Sequence, residues 1–432
     1  MPNQTETLTY PEAGSAHTGS ARLLRVLCLA RNYPNPEFPR LGIWTERLVR
    51  GAQQHCEVKV ISPVPYFPPM PGFSSYLRYR RVPRRVESQG VEVLHPRFLV
   101  GPGYSLHGTE AFTYSLGVNR LVGRLRGEFP FDLIHAHFTF PDGCVGARLA
   151  RRYNVPLVIT EQASWRPWME NYPRVKKQAL QAARQATLML PVSAWLRDIM
   201  ISFTGQTEKY RVVPNAVDTS LFTPLPVMKR IHNQILFVGI PRHVKGLDLL
   251  LQAVRQILDR GRDISLVIVG EGFYESYRRE LENLRHLAAE LNLGERAQFV
   301  GGKPPQEVAR HMKESSMLVL PSRRETFATV VVEALSCGTP VVATRCGGAE
   351  DLVNEDVGTL VPIEDPGALA AGILRVLDAP QRFAPERLHA YAVERFSTVA
   401  VGRRLAELYH EAVEAHRTAA HPGETRPSRS EG

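Results

Sequence analysis

The sequence predicts an α/β protein built from two consecutive domains, each with a doubly wound parallel β-sheet. Short apolar runs alternate along the chain with amphipathic stretches of helical period, a pattern typical of strand–helix–strand units. A segment with three prolines and no helical period, residues 211–226, separates two such series and indicates a linker. The length of 432 residues fits two or three domains of ordinary size.

The first series occupies residues 21–215. Helices are predicted over residues 43–54 and 143–154 of this domain. Its strands are predicted at residues 23–30, 58–63, 91–96, 132–138, 156–160 and 187–193. Because strands and helices alternate, we expect most of these strands to be parallel neighbours in one sheet.

The second series occupies residues 216–385, and its helices lie between the strands. Strands are predicted at residues 235–239, 265–270, 297–301, 317–322 and 339–344, with an edge strand at 358–362. A last helix, about residues 390–415, is expected to pack back on the first domain. Ligands of such sheets bind at the carboxyl ends of the strands, so the cleft between two facing sheets is the expected site.

The composition excludes several classes of protein. No run approaches the ~18 apolar residues of a transmembrane helix. The first twenty residues are polar and lack the apolar core of a signal peptide, so we expect residues 1–20, like the tail 416–432, to be disordered. The five cysteines are scattered and form no CxxC pair, which fits reduced thiols and argues against zinc. We therefore expect a cytoplasmic protein.

The charge is divided unevenly between the two halves of the chain. Residues 1–214 carry 27 Lys and Arg against 15 Asp and Glu, whereas residues 215–432 carry 26 against 28. A basic surface of this kind suits an anionic partner, which the charge alone leaves open among nucleic acid, anionic lipid and a phosphorylated substrate.

The segment 317–348 is the strongest chemical signal. A buried strand ends at Pro321, Glu325 follows in a loop, and a helix begins near Phe327. The first turn of a helix offers free N–H groups to a phosphate. Glu325 would repel that anion unless it faces the sugar that the phosphate carries. Glu333, farther along the same helix, is placed to accept hydrogen bonds from the two hydroxyls of a ribose.

A lysine forms the second chemical element. Lys245 lies between the end of a predicted strand at Gly239 and a helix that begins near Leu247. A cation at such a strand end can neutralise a leaving diphosphate. The alternatives for these charged residues are structural: Glu325 complementing the helix dipole, and Glu333 and Lys245 solvated on a helix surface.

Residues 321–348 resemble the E-x7-E signature of glycosyltransferase family 4, whose members are retaining enzymes with the GT-B fold of two facing Rossmann-like domains. Three further matches stand in the expected order: VPNAVD at 213–218, FVGIPRHVKGLDLLLQA at 237–253, and two strand ends, VIVGEG and FVGGKPPQEV, that finish near Gly272 and Val308. The resemblance implies a nucleotide-diphosphate sugar donor, linked to UDP or GDP, bound by the second domain. It implies an acceptor bound by the first domain, and neither a cofactor nor a metal ion.

The resemblance also implies roles for individual residues. Glu325, Lys245 and His137 are the expected catalytic residues. The expected donor-binding residues are Arg242, Glu333, Phe327, Ala328, Thr329, Gly42, Gly272 and Gly301. Two positions depart from the family: Ile240 stands where the family has an arginine, for which Arg242 is the nearest substitute, and Ala328 stands where the family has a glycine.

Features of the first domain match the family less closely. Gly42 precedes a helix, where a residue without Cβ lets the backbone approach the nucleotide, and a plain turn glycine is the alternative. His135 and His137 lie on one face of a strand. Their spacing is compatible with a metal site, but no third ligand has suitable spacing. His135 is better interpreted as a core residue.

Arginines alternate with tyrosines in residues 74–88. They are expected to contact the acceptor or an anionic membrane at the inner face of the cell membrane; nucleic acid and a solvated loop are the alternatives. The arginines concerned are Arg78, Arg80, Arg81, Arg84 and Arg85.

The resulting hypothesis is a retaining glycosyltransferase that acts on a lipid-linked or oligosaccharide acceptor, phosphorylated in the former case, in cell-envelope polysaccharide synthesis. A nucleotide-sugar epimerase of the same architecture is one alternative. A non-catalytic scaffold that binds anionic lipid or nucleic acid is the other.

Overall fold

A computed structural model of the chain describes residues 22–68, 74–101, 107–225, 230–272 and 274–420. The expected leader 1–20 and residues 421–432 of the expected tail lie outside the described residues. The described part contains two large, mainly parallel sheets, each covered by helices, as expected for the GT-B fold, and a small two-stranded sheet.

The N-terminal domain is built on a seven-stranded sheet. Its strands and those of a small accessory sheet are β1 (Arg25–Leu29), β2 (Glu57–Ile61), β3 (Val64–Tyr66), β4 (Arg85–Ser88), β5 (Val91–Leu94), β6 (Arg97–Leu99), β7 (Leu133–His137), β8 (Leu157–Glu161) and β9 (Leu188–Pro191). The sheet order is β4-β5-β2-β1-β7-β8-β9, and only the β4–β5 pair is antiparallel. Strands β3 and β6 pair with each other outside the main sheet.

Helices connect these strands over both faces of the sheet. They are α1 (Ile43–Ala52), α2 (Glu110–Glu128), α3 (Cys144–Tyr153), α4 (Trp165–Asn171), α5 (Pro173–Gln185) and α6 (Ala194–Thr204). Strands β7, β8 and the edge strand β9 are buried along their whole length. Burial on both faces explains why β8 and β9 read as mainly apolar runs rather than as alternating patterns.

The C-terminal domain holds a six-stranded sheet in which every neighbouring pair is parallel. Its strands are β10 (Gln234–Val238), β11 (Ser265–Val269), β12 (Ala297–Gly301), β13 (Met317–Leu320), β14 (Val341–Thr344) and β15 (Gly358–Val361), in the order β12-β11-β10-β13-β14-β15. Its helices are α7 (Leu247–Asp259), α8 (Glu275–Glu290), α9 (Pro305–Glu314), α10 (Thr329–Ser336) and α11 (Pro366–Asp378). The order reverses between β10 and β13, which sets a binding crevice at their carboxyl ends.

The chain ends in two helices, α12 (Pro385–Phe396) and α13 (Thr398–Ala420), where one had been expected. The second lies against α1 of the N-terminal domain, with Gly51 facing Gly402: a Cβ on Gly402 would lie 2.3 Å from the backbone of Gly51. The prediction of a disordered tail from residue 416 is therefore wrong for residues 416–420. Tyr409, Ala412 and Val413 are buried, so the packed face of α13 extends farther than the sequence pattern suggested.

Candidate active site

Two loops of the C-terminal domain meet at the carboxyl ends of β10 and β13. The backbone N–H of Arg323 donates to the carbonyl of Val244 at 2.8 Å. Gly246 has φ +66°, and a Cβ there would lie 1.9 Å from the carbonyl oxygen of Pro321. Only glycine allows this approach, so the residue after Lys245 fixes how closely the two loops pack.

The contact between these loops joins the two residues that the sequence singled out. Nζ of Lys245 lies 2.7 Å from Oε1 of Glu325, and the hydroxyl of Ser322 donates to the same oxygen at 2.7 Å. The Glu325 side chain is 10% exposed and that of Lys245 is 27% exposed. A partly buried charge pair of this kind holds both side chains at the edge of the sheet.

The backbone of Glu325 is fixed as well as its side chain. Its N–H donates to the carbonyl of Cys346 at 2.8 Å, and its carbonyl accepts from the N–H of Gly348 at 2.9 Å. These bonds make a short bridge to the loop after β14, the segment in which the sequence places two consecutive glycines. The E-x7-E segment and the glycine pair that follows it therefore form one structural unit.

The N-terminus of α10 lies three residues after Glu325. Ala328, the residue before the helix, has φ +64° and ψ +59°, and its side chain forms no capping hydrogen bond. Thr329 is half-buried and begins the helix, whereas the Phe327 ring is buried against Phe396 with 6.2 Å between ring centroids. Phe327 and Ala328 can thus offer only backbone N–H groups to a ligand, and no side-chain cap competes for the first turn.

Ala328 has the left-handed conformation that glycine adopts more easily. That conformation costs an L-residue roughly 1–2 kcal/mol, and glycine recovers part of this while gaining freedom in the unfolded chain. We expect Ala328→Gly to raise the free energy of unfolding by about 0.5–1 kcal/mol in urea titrations. Ala334→Gly, in the interior of the same helix, should lower it by a similar amount; a destabilised Ala328→Gly variant would contradict this explanation.

Glu333 meets a residue of the other domain. Its Oε1 lies 3.5 Å from Nη1 of Arg47, which is carried by α1 and is 10% exposed. Burial raises the pKa of the Glu333 carboxyl to about 7, and the Arg47 guanidinium opposes this rise. No pattern in the sequence singled out Arg47; an arginine on the buried face of a short helix is the one available hint, since such a charge needs a partner.

The remaining donor-site candidates are Arg242, Gly272 and Gly301, and none of them forms a side-chain bond to Lys245, Glu325 or Glu333 among the described contacts. Arg242 is exposed, its guanidinium lies 5.6 Å from the centroid of the Tyr277 ring, and its carbonyl accepts from the N–H of Lys245. Gly272 packs against the first turn of α8, and Gly301 ends β12 with φ +77°. Their roles in donor binding stay predictions.

Gly42 immediately precedes α1 and has φ +66°. A Cβ at this position would lie 2.1 Å from the carbonyl oxygen of Asn32. The close approach that requires glycine is therefore made to the protein's own first loop, and an approach to a nucleotide stays a prediction.

The two histidines of β7 share one face, as their spacing predicted, with 4.3 Å between ring centroids. His135 bonds through its two ring nitrogens to the Tyr409 hydroxyl and to Oγ1 of Thr160, each at 2.8 Å, as a core residue does. His137 is fully buried, and neither of its ring nitrogens has a hydrogen-bond partner among the described residues. Burial lowers the pKa of His137 well below its usual value, so the ring is neutral.

The arginines of residues 74–88 do not act as one cluster. Arg78 bonds to Glu37 through Nε at 3.3 Å and lies over the Phe38 ring at 4.5 Å. Arg85, on the edge strand β4, pairs with Glu92 of the neighbouring strand β5 at 2.8 Å. Arg80, Arg81 and Arg84 are exposed.

Both halves of the chain match models of known families. Residues 21–221 match "Glycosyltransferase Family 4", and residues 229–395 match "Glycosyl transferases group 1". The D-inositol 3-phosphate glycosyltransferase of Corynebacterium jeikeium is 31% identical over 325 residues, which are 69% of this chain and 75% of that protein. Its counterpart from Acidothermus cellulolyticus is 30% identical over 323 residues, 67% of this chain and 69% of that one.

The chain belongs to glycosyltransferase family 4. Its fold and its class of activity, a glycosyltransferase, are thereby confirmed. Solved structures with the same fold include sucrose-phosphate synthase from Thermosynechococcus elongatus, with a TM-score of 0.69, 21% identity, and coverage of 91% of this chain and all of the other. HepE from Anabaena in complex with UDP has a TM-score of 0.67 and 21% identity, and the match covers 90% of this chain and all of HepE.

Two further observations bear on the environment of this glycosyltransferase. No helix among the described residues is both long and apolar enough to cross a lipid bilayer. All five cysteines are buried and unbridged.

Proposed function

We propose that this glycosyltransferase is a retaining enzyme that moves a sugar from a nucleotide-diphosphate sugar to a hydroxyl of a lipid-linked or oligosaccharide acceptor. The observation that carries the proposal is the Lys245–Glu325 pair beside the uncapped N-terminus of α10. A cation, free helix N–H groups and a carboxylate meet where β10 and β13 end. A diphosphate needs the first two, and a glycosyl group that gains positive charge needs the third.

The roles of the donor-site residues follow from their charges. Lys245, helped by Arg242, would neutralise the diphosphate, and the N–H groups from Phe327 to Thr329 would bond to its outer phosphate. Glu325 would face the sugar. Glu333 would accept hydrogen bonds from the ribose hydroxyls.

The reaction joins the acceptor oxygen to C1 of the donor sugar. On the retaining course, the bond between C1 and the phosphate oxygen breaks on the face at which the acceptor arrives. The leaving phosphate then takes the proton of the acceptor hydroxyl. The protein's contribution is positioning and stabilisation of charge, and the proposed roles use neither a cofactor nor a metal ion.

The nucleotide is proposed to be UDP or GDP. HepE, which shares the fold, has been crystallised with UDP and with UDP-glucose. These complexes support testing UDP first. His137, at the end of β7, is proposed to act near the donor sugar.

The acceptor is proposed to be presented at an anionic membrane. The excess of positive charge in residues 1–214 and the exposed Arg80, Arg81 and Arg84 favour contact with lipid phosphates. The protein would then be cytoplasmic and peripheral on the inner face of the cell membrane, with a role in building cell-envelope polysaccharide. Nucleic acid is not a proposed partner.

NMR of the sugar products tests this proposal against its alternatives. We incubate the protein with UDP- and GDP-sugars, with and without octyl glycosides as acceptors. The expected result is a new glycoside that keeps the anomeric configuration of the donor. An inverted anomer would refute the retaining course, and epimerised nucleotide sugar without any acceptor would favour an epimerase. Binding to anionic vesicles without binding of any nucleotide sugar would favour the scaffold.

A further inference from the structure

A cavity of about 1100 Å³ opens at the carboxyl ends of β1, β7 and β8. The N-terminal domain supplies most of its wall, and Tyr274, immediately before α8, lines it from the other domain. We propose that this cavity binds the acceptor as an uncharged sugar ring, and that any phosphate of the acceptor stays outside it. The inference rests on the proposed transfer reaction and concerns what the second substrate is.

The charges in the wall disfavour a phosphate. Arg31 and Arg78 are the arginines among the described lining residues. Nη1 of Arg31 lies 2.5 Å from Oε2 of Glu110, and Nε of Arg78 lies 3.3 Å from Oε2 of Glu37, so each guanidinium group is already paired with a carboxylate. Nδ1 of His107 also lies 3.3 Å from Oε1 of Glu110. Burial raises the pKa of the Glu110 carboxyl, but His107 and the Arg31 guanidinium together lower it below its usual value. A phosphate entering here would have to displace a buried carboxylate from its partner.

Acidic side chains accompany the two arginines in the wall. Asp142 and Glu161 line the cavity together with Glu110. Both oxygens of Glu161 are occupied: they accept from the Trp165 indole N–H at 2.8 Å and from three backbone N–H groups, those of Thr139, Gln162 and Ala163, at 2.9 Å each. Phosphate recognition needs a cation that is free to pair with the phosphate. Among the described lining residues, both arginines are already paired with carboxylates.

Asp142 supplies an acceptor that the protein itself leaves unused. Its Oδ1 accepts from the backbone N–H of Arg31 at 2.7 Å and from the Tyr114 hydroxyl at 3.0 Å. Its Oδ2 is buried and has no hydrogen-bond partner among the described residues. A buried polar atom without a partner is uncommon and asks for an explanation. Burial raises the pKa of the Asp142 carboxyl to about 7, so near neutral pH its Oδ2 can either accept a hydrogen bond from a sugar hydroxyl or donate one to it.

Aromatic rings cover much of the remaining wall. Phe38 and Tyr79 are stacked with 4.6 Å between their centroids, and Phe140, Trp165 and Tyr274 also line the space. The faces of such rings are apolar and electron-rich, and they suit the C–H faces of a sugar ring better than a hydrated anion. The exposed Arg80 and Arg81 follow Tyr79 directly in the chain and are the cations proposed to hold, outside the cavity, a phosphate attached to the sugar.

Paired acceptor analogues test the inference. Octyl glycosides of glucose, galactose, mannose and N-acetylglucosamine are compared with their 6-phosphates and with D-inositol 3-phosphate. Dissociation constants are measured by tryptophan fluorescence, with and without UDP or GDP. We expect at least one neutral glycoside to bind, and its 6-phosphate to bind at least tenfold more weakly. Inositol phosphate or a sugar phosphate binding more tightly than every neutral glycoside would overturn the inference.

Two variants sharpen the test. Glu110→Gln releases Arg31 and should shift the ratio of the two dissociation constants at least tenfold in favour of the glycoside 6-phosphate. Glu92→Gln is the control: the partners of Glu92 lie outside the cavity, so this variant should leave the ratio unchanged. An unchanged preference in Glu110→Gln would contradict the inference, and so would the failure of every neutral glycoside to bind while UDP or GDP binds. If neither nucleotide binds, the proposed function fails, and the glycoside titrations without nucleotide still decide the charge preference.

Discussion

Lys245→Ala is expected to lower kcat/KM for glycosyl transfer by about 10²–10³-fold, the loss that follows removal of one preorganised group facing developing negative charge. Lys245 is held 2.7 Å from Glu325 at the carboxyl end of the C-terminal sheet, beside the first turn of α10. Once a diphosphate enters, the lysine can neutralise the leaving group. Its effect should therefore appear in both donor affinity and turnover.

Lys303→Ala is the matched control. Lys303 belongs to the same domain and pairs with Glu307 one helical turn away, at 3.5 Å. This partly exposed pair is separate from the Lys245–Glu325 pair, and such pairs contribute little, so activity should stay within about twofold of the parent. Parental activity in Lys245→Ala would refute the proposed role of the lysine.

Glu325→Gln tests the other half of the pair. The amide has almost the same shape and can still accept from Ser322, but it lacks the negative charge. We expect a loss of transfer comparable to that in Lys245→Ala, while nucleotide affinity stays the same or improves because an anion beside the phosphate has been removed. If Glu325→Gln only lowers the thermal midpoint and leaves transfer unchanged, the carboxylate is structural.

Donor affinity is expected to fall about 30-fold between pH 7.5 and about pH 5.5. The pKa of Glu333 is raised to about 7 by burial. Only the ionised carboxylate is a full acceptor for the ribose hydroxyls, so donor binding favours loss of the proton. Affinity is therefore greatest above pH 7 and falls as the pH drops through that value, by up to tenfold per pH unit well below it.

The Arg47 guanidinium sets the midpoint of this change. It lowers the pKa of the Glu333 carboxyl, so Arg47→Leu should move the midpoint to higher pH and weaken the donor at neutral pH. Glu333→Gln should bind the donor weakly at every pH and lose the dependence near 7. The dissociation constant of UDP or GDP is measured from pH 5 to 9 for the parent, Arg47→Leu and Glu333→Gln. A pH dependence that persists in Glu333→Gln would contradict the assignment of this carboxyl to the ribose.

Most of the parallel strands were predictable because they are largely buried and read as mainly apolar runs between turn residues. The E-x7-E segment was predictable for a similar reason: Glu325 and Lys245 each follow a buried strand, and strand ends of one sheet meet at one edge. The fold of the whole chain and its transferase class followed from these motifs and are confirmed by the family matches.

Other features depended on neighbours that the local sequence does not reveal. Strands β3 and β6 have three residues each, too few for a period. Arg47 meets Glu333 from another domain, 286 residues away in sequence. The arginines of residues 74–88 look alike in sequence and are all exposed, yet two of them pair with Glu37 and Glu92. Pairing of charges is a tertiary property, and it decides which cations are available to a ligand.

The measurement that tests the account most directly is isothermal titration of the full chain and of Lys245→Ala with UDP and GDP. The account predicts that one of the two nucleotides binds the parent with a single site, and that Lys245→Ala weakens this binding at least tenfold. Lys303→Ala should bind as the parent does. Failure of both nucleotides to bind, or equal affinity in Lys245→Ala and the parent, would contradict a donor site at the Lys245–Glu325 pair.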